Sequence, residues 1–409
     1  MPIRTTPTRR TATPTGPIQT PTAPTVRSAL ERCVEPVASD EFLARYWEQK
    51  PLVVHREEPI RFHDLLSPAD VERLICSSSL RLPAFRLVRN DVAIDARSYT
   101  TDLSWGPEPF SGTIDVDRAL RHFEEGATIV LEALHHSWGP LAGFCRELET
   151  TLGEPVQANA YFTPRSAQGL PLHHDTHDVI VLQVAGKKHW RVFEPVIDLP
   201  RKDQKYSRVK HGDPGEPVED CVLEAGDTMY LPRGWIHDAL TTDSESLHLT
   251  IGVKVYTWMD AVKAALETCG DDIGFRRSVP ADGEMQADLL EVLSERLSPD
   301  SVMRRKRERF LGGRRPIREQ QLSQLRTLDE LTVETPVARR ETTLAELDFP
   351  HLSFEGKTID FPAHVEEDIE FVASADGEFT ATDLPGDLDE EGRLVLIRRL
   401  IREGFLRSV

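Results

Sequence analysis

The chain has 409 residues, 39% of them hydrophobic, and a formal charge of −19. That length suits two or three domains with sizeable cores, and the acidic balance disfavours nucleic-acid phosphates and favours a basic partner. Five scattered cysteines without a Cys-x-x-Cys pair indicate neither a zinc site nor a disulfide framework and fit a reduced cytoplasm; no apolar run approaches the ~20 residues of a membrane span.

Residues 1–26 are rich in Thr and Pro, carry no acid and have no signal-peptide apolar stretch. They are expected to form a disordered tail. The rival reading of Arg4, Arg9 and Arg10 is a mitochondrial address, but the prolines spoil an amphipathic helix. Asp40 to Trp47 reads as a capped helix with an inward aromatic face, and Pro51 to Val54 as a short buried strand. Ser67-Pro68-Ala69-Asp70 combines an N-cap serine, a proline at the first helical position and an early acid, so a helix is expected to run to about Ile75. Leu82 to Val88 and Ala127 to Leu131 read as strands. A helix follows Trp138-Gly139-Pro140 and runs through Leu148.

From Gln157 to Val253 the pattern is short strands separated by turns. Val179 to Val184 is apolar and β-branched, Ala185-Gly186-Lys187-Lys188 reads as a turn, and Trp190 to Phe193 as the returning arm of a hairpin. Many short antiparallel strands with Gly-rich turns predict a double-stranded β-helix of the cupin or jelly-roll type. Residues 258–343 change to helical spacing, with an apolar stripe at Leu289, Leu290, Val292, Leu293 and Leu297, and end in a connector. Arg304-Arg305-Lys306-Arg307 reads as a solvated face. The last part, 344–409, mixes strands and helices in a winged-helix-like order. It has no Lys or Arg between Thr358 and Gly392, so direct DNA binding is not expected. The expected organisation is a tail over 1–26, a cupin catalytic domain over 27–257, a helical region and connector over 258–343, and a winged-helix-like domain over 344–409.

The chemistry concentrates in Asn159 to Phe193 and in Gly226 to His237. His173-His174-Asp175 is a His-x-Asp step, and His237 follows a Gly-Asp turn and a Pro-Arg-Gly turn that can aim a ligand from a strand end into a barrel mouth. Two imidazoles and one carboxylate on neighbouring strands can take one face of a six-coordinate ion, the facial triad of non-haem Fe(II) oxygenases. The competing reading is a structural cupin whose histidines are satisfied internally. His135-His136 reads as a loop or strand-end pair. His174 and His189 are expected to alternate away from the site.

Several runs resemble the JmjC-type ribosomal oxygenases: Asn159-Ala160-Tyr161, Gln168-Gly169, His173-His174-Asp175, Gly186-Lys187-Lys188, Trp190-Arg191-Val192, Leu231-Pro232-Arg233-Gly234 and His248-Leu249-Thr250. Tyr46-Trp47 and Lys50-Pro51-Leu52 add to the likeness. The resemblance implies Fe(II), 2-oxoglutarate and O₂, with hydroxylation of an arginine or histidine of a ribosomal protein. It implies that His173, Asp175 and His237 bind iron, that Lys188 pairs with the distal carboxylate of 2-oxoglutarate, and that Asn159 and Tyr161 line the co-substrate pocket. It also implies a homodimer formed through the helical region. The chain departs from the family at His174, at His177, which adds an imidazole near the iron, and at Gly252, where some members carry a serine. A tailoring oxygenase of a small molecule or peptide and a non-catalytic metal-binding scaffold are the alternatives.

Overall fold

A computed structural model describes residues 27–409 except 91, 105–107, 166, 242, 284–286 and 342. The tail expected over 1–26 lies outside the described residues. The helix at Pro68–Ser77 starts as its sequence dictates: Ser67 and Asp70 form a reciprocal capping box with Pro68 in the first turn. The helix at Ser39–Arg45 begins at Ala38 without a side-chain cap. Its Phe42 is fully buried and meets Tyr230 edge-on, while Trp47 stacks on the same ring. Together these rings pin the N-terminal helices to the barrel.

The core is a cupin-type double sheet of antiparallel strands. One layer runs in the order Leu52–Val54, Thr228–Leu231, Asp178–Phe193, Ser246–Val253, Val156–Thr163, Thr128–Leu131, Phe85–Arg89 and Val92–Ala93. The opposing layer is formed by Glu219–Glu224, the far half of Asp178–Phe193, Ile236–Leu240 and Gln168–His174. Apolar residues such as Ile180, Leu182, Leu249 and Ile251 face the main core, and strand alternation puts intervening residues such as Val179, Val181, His248 and Thr250 on the barrel interior.

The hairpin expected around Ala185–Lys188 does not exist. Asp178–Phe193 is one sixteen-residue strand. Gly186 has φ of +64°, and the pairing with Ser246–Val253 slips by one residue beside it. A glycine bulge of this kind bends a strand without ending it, so the near half pairs in one layer and the far half in the other. An added Cβ at Gly186 would lie 1.8 Å from the Glu245 carbonyl oxygen. Gly186→Ala is therefore expected to cost about 2–5 kcal/mol from left-handed strain and overpacking, read as a lowered denaturant midpoint at constant slope.

A hairpin of Thr100–Ser104 and Pro109–Ile114, not anticipated from sequence, forms a separate small sheet. The helical region comprises Trp258–Cys269, Ile273–Arg276, Ala287–Arg296 and Pro299–Gly313. The basic run on the last of these is not wholly a solvated face, because Lys306 reaches Glu154 at 2.6 Å and ties the helix to the barrel. The C-terminal body packs Glu366–Ser374 and Glu390–Glu403 with a three-stranded sheet of Glu378–Phe379, Val337–Arg339 and Leu406–Ser408. Its apolar cluster already includes Leu328, Leu331 and Val337. On packing, we propose that this body begins near residue 328, ahead of 344. All five cysteines are free thiols. No helix among the described residues is long and apolar enough to cross a membrane.

Candidate metal centre

His173 lies at the end of Gln168–His174, and His237 lies directly opposite it on Ile236–Leu240. Their ring centroids are 4.4 Å apart. Asp175 follows the strand end, and its carboxylate lies 3.8 Å from His237 Nε2. One ligand atom from each of the three residues lies within 4.8 Å of the others. Two turns hold this geometry. The Gly234 amide donates to the Asp175 carbonyl at 3.0 Å, and Gly234, at φ of +94°, passes so close to Ile197 that a Cβ would lie 2.6 Å from its carbonyl oxygen. Only glycine suits that position.

Protonation states suit a cation. His237 is 5% exposed; burial and the neighbouring His173 hold its pKa down at about 4, so the ring is neutral. Its Nδ1 donates to the Trp235 carbonyl at 3.0 Å, which leaves the Nε2 lone pair free for a metal. Burial alone would raise the Asp175 pKa, but the imidazoles of His237, His173 and His177 hold it below the ordinary carboxylate value. An ionised carboxylate and imidazole nitrogens on one side of a site, with its other side open to a cavity, form a donor set that fits six-coordinate Fe(II).

The cavity measures about 210 Å³ and is lined by His173, Asp175, His237, Asn159, Tyr161, Lys188, His177, Trp190, His248 and Thr250, among others. All six residues singled out in the sequence face it. Its volume is below the roughly 300 Å³ at which pockets for drug-sized ligands begin, so it suits a small acid. Lys188 is 3% exposed rather than at a hairpin tip. Its Nζ donates to Thr163 Oγ1 at 3.3 Å and sits 5.9 Å from the Trp190 ring. Among the described residues no carboxylate pairs with it, and burial pushes its pKa down to about 7. A buried amine without an acid is costly unless an anion arrives.

Asn159 and Tyr161 alternate on one strand. Asn159 Oδ1 accepts from the Ala133 amide at 2.8 Å, and burial pushes the Tyr161 hydroxyl up to about 12, so it stays a neutral donor. Sequence reasoning quoted His248 only as part of a motif. Its ring stacks on Tyr161 at 5.0 Å and 5°. Burial, then the nearby Lys188, holds it neutral. Among the described residues its buried Nδ1 has no hydrogen-bond partner, a second buried polar group without a protein partner beside the cavity. Position alone could have found it, since His248 and Thr250 alternate toward the cavity. His174 points away, its Nε2 bonded to the Gln204 carbonyl at 2.8 Å. His189 pairs with Asp220 on the outside, and His135-His136 lies in a short 3₁₀ turn.

Fold and site together define a cupin-type protein, and residues 139–261 match the JmjC domain model. The chain is related to the ribosomal oxygenases, as its sequence motifs implied. It is 31% identical over 265 residues to ribosomal oxygenase 1 of Gallus gallus, covering 61% of this chain and 41% of that protein. It is 29% identical over 276 residues to ribosomal oxygenase 2 of Mus musculus, covering 62% and 54%. The chain thus spans about half the length of these curated relatives. The crystal structure of the Escherichia coli ribosomal oxygenase YcfD shares the fold, with a TM-score of 0.56 and 18% identity over 91% of this chain and 98% of that one. A further structure of that protein contains cobalt and 2-oxoglutarate.

Proposed function

We propose that this chain is an Fe(II)- and 2-oxoglutarate-dependent dioxygenase that hydroxylates an arginine or histidine side chain of a ribosomal protein. The observation that carries the reading is one small cavity lined by both the His173–Asp175–His237 face and a buried lysine that has no acid partner among the described residues. The names of the related ribosomal oxygenases support a ribosomal substrate, and the cobalt and 2-oxoglutarate in YcfD support the cofactor pair. The formal charge of −19 favours a basic partner at long range.

His173, Asp175 and His237 would hold the iron. Lys188 would neutralise the far carboxylate of 2-oxoglutarate, with Asn159 and Tyr161 beside it. Bound there, iron supplies O₂ activation coupled to oxidative decarboxylation of the co-substrate. In the balance, one oxygen atom enters succinate, the other converts an acceptor C–H to C–OH, and CO₂ leaves. The chain's own contribution is geometric and electrostatic: the Trp235 carbonyl fixes the His237 ring, and Val179, Val181 and Leu231 keep the cavity wall apolar. The test is incubation with Fe(II), 2-oxoglutarate and ribosomal proteins. Succinate and a one-oxygen mass gain on one ribosomal protein are expected; bound metal without succinate would favour a scaffold.

A cytoplasmic homodimer built on the helical region is part of this proposal. Trp258, Leu266, Ile273 and Leu290 are exposed there, Leu290 at 57%, a concentration of apolar surface that marks contact sites. Light scattering is expected to give twice the chain mass at micromolar concentration; obligate dimer interfaces are often above about 2,000 Å² in total. A single-chain mass throughout would remove the dimer.

A further inference from the structure

Gly252 sits one residue from the end of Ser246–Val253, a strand paired on both sides, opposite Gln157 and Val179, and its φ is not in the left-handed region. The backbone there does not require glycine, and an interior strand glycine costs stability unless something approaches closely. What approaches is His177. A Cβ on residue 252 would lie 2.5 Å from His177 Cδ2 and 2.6 Å from Nε2. The imidazole occupies the space a side chain at 252 would fill.

That ring stands at a boundary. His177 lines the metal cavity and also an outer cleft of about 760 Å³, whose walls include Arg233, Lys254 and Trp258. Trp258 is 73% exposed. Among the described residues the His177 ring nitrogens have no hydrogen-bond partner. A side chain reaching the metal face from the cleft passes a planar group whose two ring nitrogens can hydrogen-bond.

We infer that His177, admitted by Gly252, is the residue that positions the acceptor side chain at the mouth of the site, and that this pair sets acceptor specificity. The inference rests on the oxygenase reading above. His177 is not a metal ligand in it; it acts on the acceptor.

The test uses the full chain with Fe(II), 2-oxoglutarate and extracted ribosomal proteins as acceptor. His177→Ala is expected to raise the acceptor KM about tenfold and to lower the oxygen incorporated per succinate, the loss expected when one hydrogen bond goes. Mn(II) affinity by calorimetry is expected to hold, separating positioning from ligation. Gly252→Ala is expected to lower the melting temperature through the clash. The double variant is expected to recover the melting temperature without recovering coupling, which a purely structural role would not produce. Unchanged KM and coupling in His177→Ala, or unchanged stability in Gly252→Ala, would overturn the inference while the oxygenase reading stands. Weakened Mn(II) binding in His177→Ala would make it a ligand and overturn the inference too. No succinate from the unaltered chain, with or without acceptor, would overturn the oxygenase reading and this inference with it.

Discussion

Replacing His237 or Asp175 by alanine is expected to abolish metal-dependent turnover and weaken metal binding by more than about 100-fold, beyond the 10- to 100-fold that loss of an outer partner costs. The fold should survive. His237 packs by ring contacts with His173 and Trp190, and the turn that places Asp175 is held by its backbone carbonyl, which the substitution keeps. Affinity should also fall with acid, because carboxylate and imidazole must be deprotonated to bind. Calorimetry with Mn(II) at matched pH reads both effects. Full turnover in either variant at equal metal loading would remove the assignment.

Lys188→Ala is expected to raise the 2-oxoglutarate Kd about 30- to several-thousand-fold, since stranding one member of a buried charge pair costs roughly 2–5 kcal/mol. Metal affinity should change little. The pH dependence is more specific. With its pKa held near 7 by burial, Lys188 would be charged below pH 7 and would bind the carboxylate without taking up a proton. Above pH 7 binding requires one proton, so Kd should rise about tenfold per pH unit until the raised pKa of the bound state is reached. Lys188→Ala should lose that slope. Quenching of Trp190, 5.9 Å from the amine, offers a readout independent of catalysis.

Linkage also gives this group a sign in stability. Its folded pKa is depressed to about 7 from the ordinary value of 10.5, so between those values the unfolded chain binds more protons. Its burial therefore penalises the ligand-free fold fully below pH 7, and the penalty fades as pH rises toward 10.5. Added 2-oxoglutarate should protect most at the acidic end of that window.

That His173, Asp175 and His237 come together was legible because the signal is local: a His-x-Asp step at a strand end and a histidine just after two turns. The setting of Lys188 was not. A glycine followed by two lysines between apolar runs reads as a turn, and a bulge glycine inside a strand leaves the same trace. Only pairing with two different layers distinguishes them. His248 was hidden for another reason: in Leu247-His248-Leu249-Thr250-Ile251 the alternation reports which face a residue takes, not whether that face is core or cavity. Likewise Leu328 and Leu331 give no sign in sequence of joining a core formed mainly by residues beyond 344. The capping box at Ser67 needed no tertiary context and stands as its residues predict.

Because Asp178–Phe193 runs unbroken through both layers, the site lacks a seam along which it could open separately. The strand carries Val179 and Val181 on one side of Gly186 and Lys188 and Trp190 on the other, all lining one cavity. Its amides are hydrogen-bonded along both halves. Hydrogen exchange on the two halves should therefore proceed through one cooperative event, with matched protection approaching that of global unfolding. Breathing that admits a ligand is then expected in loops of the outer cleft, such as 199–204, while the strand that floors the cavity stays shut.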